Sequence, residues 1–174
     1  MDWYDTVFEV IDMRSFSNLW YWIGLAVMWS TASHWILGVP FDMIQKAQRN
    51  GGQAEVDLHT MVRIMCERLL YIGRVSGLWL LTLMSAILSA LFVSGFWYQV
   101  EFAQAVFLLA FPMAIVWLVS LSTARLIMDE NSTGALLFKR LNRHRRYTQI
   151  IGMISVFVTS MWGMFQNLSL GVFG

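Results

Sequence analysis

Four stretches of about twenty residues lack any Asp, Glu, Lys or Arg: 19–37, 78–97, 103–121 and 150–170. At about 1.5 Å of rise per helical residue, each is long enough to cross a hydrocarbon core of about 30 Å. Within such a core every backbone amide must be paired internally, which a single helix achieves alone. The sequence therefore predicts an all-α, polytopic membrane protein, with four transmembrane helices forming one domain over 1–174. Hydrophobic residues make up 57% of the chain and charged residues only 13%, where a soluble domain carries about 25% charged residues. Four buried helices of a soluble protein would leave too little polar surface.

Orientation follows from the basic residues. Four spans put the linkers 38–74 and 122–147 on one side, and both termini with the turn 98–102 on the other. The first linker carries Lys46, Arg49, Arg63, Arg68 and Arg74, and the second Arg125, Lys139, Arg140, Arg143, Arg145 and Arg146. Only Arg14 lies opposite. The excess of Lys and Arg on cytoplasmic loops then predicts a bacterial inner-membrane protein with cytoplasmic linkers and periplasmic termini. Trp20, Tyr21, Trp22, Trp97 and Tyr98 fall at the outer boundary, with Trp35 and Trp79 near the inner one, as amphipathic rings do.

The opening MDWYDTVFEVIDMRSF is acidic where a signal peptide is basic. Asp2, Asp5, Glu9 and Asp12 recur at helical spacing opposite Trp3, Val7, Val10 and Ile11, which predicts an amphipathic helix over 1–16 at the outer surface. In the first linker, Pro40 suits the start of a helix and Asn50-Gly51-Gly52 its end. A second helix from Gln53 carries Leu58, Met61, Val62, Met65, Leu69 and Ile72 at the helical period and meets no break before Gly73. The linker between spans 1 and 2 should therefore form a cytoplasmic helical hairpin with an apolar stripe.

Catalytic motifs are not evident. One cysteine, Cys66, cannot build an intrachain disulfide, a CxxC pair or a cysteine-ligated cluster. Glu55 and His59 lie one helical turn apart with Cys66 two turns beyond, but paired zinc-ligand spacing is missing. No GxxxxGK[ST], GxSxG or HExxH pattern occurs. These residues point to a non-enzymatic protein with no cofactor and no metal ligands.

Of the three His, only His34 lies within a predicted span, and Ala26, Ser30, His34 and Gly38 align at four-residue spacing. A neutral His hydrogen-bonded to a neighbouring helix explains it without function; a proton- or ligand-handling site at His34 and Ser30 is the functional alternative. The lack of Asp or Glu in the spans weighs against coupled transport. Small residues line two spans: Ala86, Ala90 and Ser94 beside Ser85 and Ser89, and then Gly152, Ser155, Thr159 and Gly163 with Gln166. Such stripes serve either internal packing or a partner interface. Pro112 should kink or loosen the third span.

The stretches WYDTVFEVIDMRSFSNLWYWIGLAVMWSTASHWILGVPFDM, EFAQAVFLLAFPM and SLSTARLI resemble a small family of bacterial membrane proteins labelled "component of SufBCD complex". The resemblance covers most of the chain and implies an accessory inner-membrane protein. Its label implies a link to iron–sulfur cluster assembly, which a single Cys does not support, and no site residue follows from it.

The leading expectation is an accessory or assembly subunit of a larger inner-membrane complex, with other membrane subunits or its own copies as partners. A small oligomeric transporter or channel with His34 in its path is the alternative. The basic run LFKRLNRHRRY directly precedes the fourth span, where buried Arg would cost about 2.5–3.5 kcal/mol each at a helix centre. Lys139, Arg140, Arg143, Arg145 and Arg146 thus mark the cytoplasmic boundary and are expected to contact anionic phospholipid or an acidic partner, not nucleic acid.

Overall fold

The computed structural model describes residues 15–171, so the amphipathic helix expected over 1–16 lies almost wholly outside the described residues. Nearly everything described is helical. After a 3-10 turn at Ser15–Ser17, helix α1 runs from Leu19 to His34, its first turn capped by the Asn18 side chain, which accepts from the Trp20 amide at 3.0 Å. A minimal antiparallel hairpin follows, β1 (Trp35–Ile36) paired with β2 (Val39–Pro40). Helices α2 (Phe41–Asn50), α3 (Gly52–Val75), α4 (Gly77–Phe92), α5 (Glu101–Asp129) and α6 (Gly134–Gly171) complete the order, and α4 ends in a π-helical turn at Val93–Trp97.

Among the described residues, three helices are long and apolar enough to cross a membrane: Gly77–Trp97, Glu101–Asp129 and Gly134–Leu168. Helix α1 is shorter than the expected 19–37. Its 16 residues rise about 24 Å. The stop is a backbone event: Leu37 at φ 53° and Gly38 at φ 80° turn the chain through two successive left-handed residues, the geometry of a tight two-residue hairpin loop. Ile36 and Val39, paired across that hairpin, are almost fully buried, so the turn is held by packing.

Pro40 precedes α2, and Gly51 at φ 58° separates α2 from α3, against which it packs. Helix α3 runs on to Val75 and only Ser76 separates it from α4. The region expected as linker 122–147 is itself largely helical. It comprises the end of α5, a turn through Asn131 at φ 44°, and the first turns of α6. At 29 and 38 residues, α5 and α6 are about 43 and 57 Å long and outrun a 30 Å core.

Packing divides the molecule into two layers. In the apolar layer α5 packs against α4 and α6, and α1 sets Leu25 and Trp29 against Val116, Met113 and Leu109 of α5 and Ile151 of α6. Helix α4 is peripheral, with no residue of Gly77–Phe92 buried. In the second layer, Ile44 and Ala47 of α2, Leu58, Val62 and Cys66 of α3, Ala124 and Ile127 of α5, and Leu137 and Leu141 of α6 form one core. The apolar stripe expected on the second linker helix is covered by α2 and the ends of α5 and α6 from Leu58 to Leu69, while Ile72 is exposed.

Candidate functional site

The two residues expected to form a polar path are not brought together in one cavity. Ser30 and His34 are both exposed on α1, and the His34 ring lies edge-on to Trp35 with centroids 6.1 Å apart. Ser30 lines an open groove of about 810 Å³ between α1 and α6, to which His34 does not contribute. Trp29 borders the same groove and covers Gly152: a Cβ there would stand 2.8 Å from the indole ring. The Trp29 Nε1 is buried without a hydrogen-bond partner among the described residues.

The basic run has two faces. Leu137, Leu141, His144 and Thr148 follow the helical period along α6 and are buried. Arg140 pairs with Glu130, and the Arg145 guanidinium lies over the Phe41 ring, 3.5 Å from its centroid. Lys139, Arg143 and Arg146 are exposed. Of the five residues expected at anionic lipid or a partner, two are thus engaged within the protein and three face outward.

His144 links α6 to α5. Its Nε2 lies 3.4 Å from Ser120 Oγ and its Nδ1 lies 3.3 Å from Thr123 Oγ1. Each hydroxyl also donates to the carbonyl one turn back, Ser120 to Val116 and Thr123 to Val119, so both oxygens face the ring as acceptors. A neutral imidazole has one N–H to offer. One hydroxyl therefore meets an unprotonated nitrogen unless it turns its own proton toward the ring. No local signal separates this His from its charged neighbours, because its burial depends on α5.

A second polar node joins three helices toward the opposite end. Gln104, fully buried, donates to the Gly95 carbonyl at 2.9 Å and accepts from Trp162 Nε1 at 3.0 Å and Gln166 Nε2 at 2.6 Å. A Cβ on Gly95 would stand 2.9 Å from the Gln104 backbone nitrogen. The π turn and this glycine let α4 approach α5 closely. Nearby, the Phe16 amide donates to Glu101 Oε1 at 2.8 Å and Trp22 Nε1 donates to the Phe16 carbonyl at 3.0 Å.

On the α2–α3 side, Glu55 and His59 line a pocket of about 260 Å³ with Thr133 and Gly134. Cys66 is not among its lining residues; it lies fully buried in the core, where burial pushes its thiol up to about 11, with Glu67 adding to the effect. Among the described residues no three His, Cys, Asp or Glu side chains are grouped to hold a metal ion. The two small-residue stripes differ in use. Gly152, Ser155, Thr159 and Gly163 of α6 are buried, with Trp29 over Gly152 and Trp22 and Phe16 against Gly163, whereas Ser85, Ala86, Ser89 and Ala90 of α4 are exposed.

Comparison with known proteins gives no match to a family model, to a curated protein or to a solved structure.

Proposed function

We propose that this chain is a four-span accessory or assembly subunit of a larger bacterial inner-membrane complex, with both termini periplasmic and the α2–α3 layer in the cytoplasm. The fourth span is α1, supported by its outward apolar face, where Leu19, Trp20, Ile23 and Val27 are exposed. At about 24 Å the helix is short for a 30 Å core, and the apolar hairpin after it, together with modest bilayer thinning, makes up the difference.

The observation that carries the accessory reading is the unused face of α4. Ser85, Ala86, Ser89 and Ala90 are small residues on consecutive turns, the pattern by which membrane helices approach one another closely. The α6 stripe is consumed by internal packing; the α4 stripe is not, although its helix is the most peripheral of the bundle. A neighbouring helix of another subunit fits there without rearranging the chain.

Purification from native membranes in mild detergent tests the proposal, combined with a photo-crosslinking residue at Ala86. The expected outcome is a stoichiometric membrane partner that crosslinks from Ala86 and not from Phe157. A monodisperse homo-oligomer with no crosslink from Ala86 would overturn it.

A further inference from the structure

The α1–α6 groove differs from the other cavities in what lines it. Most of its wall is apolar, through Met153, Val156 and Phe157, but Ser30 and Ser33 of α1 and Gln149 and Ser160 of α6 also face it. The Trp29 ring closes over Gly152 at the groove wall, with its indole N–H buried. The Gln149 amide and the serine hydroxyls can donate to a ligand in the groove. A neighbouring transmembrane helix brings few free acceptors, because its own carbonyls are paired within it. A phospholipid brings ester carbonyls and phosphate oxygens, all of them acceptors.

Charge completes the match. Along α6, Arg146, Gln149, Met153, Val156 and Ser160 recur at spacings of three and four and share one face. Arg146, exposed, stands one turn beyond Gln149 toward the basic end of the helix. Trp29 contacts Gly152, and α1 and α6 run in opposite senses across the proposed membrane. Arg146 therefore lies near the depth of His34 and Trp35, at the inner boundary. From boundary to interior, Arg146 stands outside the groove mouth, followed by Gln149 and Ser33 and then by the apolar wall of Met153, Val156 and Phe157; up to Ser160 beyond that wall, this is the order of groups along a phospholipid.

We infer that the groove between α1 and α6 is a binding site for one anionic phospholipid of the inner leaflet, with its phosphate at Arg146 beside the groove mouth, its ester region at Gln149 and Ser33, and an acyl chain along Met153 and Phe157. The inference rests on the membrane reading proposed above and gives the anionic-lipid contact a specific place.

Native mass spectrometry of the full chain in mild detergent, titrated with phosphatidylglycerol or phosphatidylcholine of matched chains, tests it. Failure of the chain to fractionate with membranes would sink the membrane reading itself, independently of the groove. Given a membrane protein, one phosphatidylglycerol should bind in preference to phosphatidylcholine. Arg146→Gln should weaken the phosphatidylglycerol adduct about fivefold, the effect of one basic residue at an anionic surface. Ser30→Phe, which fills the groove, should remove the adduct while helix content by circular dichroism is kept, and Leu83→Phe on the exposed face of α4 should leave it unchanged. Equal binding of the two lipids, an Arg146→Gln variant indistinguishable from the unaltered chain, or an adduct retained in a folded Ser30→Phe would overturn the inference. So would a crosslink from Ser30 that captures a second copy or another protein in place of lipid.

Discussion

At Gly95 a hydrogen atom is all the space allows, because a Cβ would sit 2.9 Å from the backbone nitrogen of Gln104, which cannot swing aside as a side chain would. Gly95→Ala should therefore separate α4 from α5 and lower stability by about 1–3 kcal/mol, the usual cost of overpacking, read as a fall in the thermal midpoint in detergent. Gln104→Leu keeps the volume but strands the Gly95 carbonyl and the Trp162 indole N–H, and should cost about 1–3 kcal/mol if those groups stay dry. A stability unchanged in both variants would mean that this node does not join the helices. Cys66 makes a chemical prediction. Its thiol, pushed up to about 11 by burial, stays protonated near neutral pH, and the thiolate is the nucleophile. Alkylation by iodoacetamide should be slow in the folded protein and fast after denaturation. The raised value also means that Cys66 favours the fold fully below its ordinary pKa of 9.0 and loses that contribution as pH rises toward about 11. Little at this scale was legible in the sequence. Gln104 is one polar residue in an apolar run, and its partners lie 9, 58 and 62 positions away. His144 sits among arginines, and only the position of α5 makes it a buried group.

The helices themselves were more legible, because an uncharged run of span length leaves few other solutions. The α2 and α3 boundaries followed from Pro40 and from Gly51 and Gly52, whose effects are local. The end of α1 was not readable. Gly38 and Pro40 mark a stop near Leu37, but nothing in WILGVP places it three residues earlier, at His34, where the hairpin through Leu37 at φ 53° depends on burial of Ile36 and Val39 in a core formed by distant residues. Gly38 is the position to test. At φ 80° with Met65 Sδ 3.3 Å from a prospective Cβ, Gly38→Ala should cost about 1–2 kcal/mol from the left-handed backbone alone. A neutral effect would show that the hairpin relaxes freely. The basic run suggests a membrane boundary from its charges, but its packing role was illegible, since its buried stripe of Leu137, Leu141 and His144 interleaves with the charges at helical period.

The whole molecule is an apolar helical layer joined to the α2–α3 layer through the continuous helices α5 and α6, with α3 entering α4 across a single residue. The two proposals give the exposed faces separate uses: α4 would offer small residues to a neighbouring helix, and the α1–α6 groove would offer donors to lipid. Both depend on α1 crossing the bilayer, since that crossing puts the Ser15–Ser17 turn and the α2–α3 junction on opposite sides. Labelling of single cysteines in a Cys66→Ser background, with a membrane-impermeant maleimide on intact spheroplasts, measures this directly. Asn18→Cys and Gln99→Cys should label from outside, while Gly51→Cys and Asn131→Cys should label only after lysis. If Asn18→Cys and Gly51→Cys label from the same side, α1 does not cross, and the four-span account is contradicted.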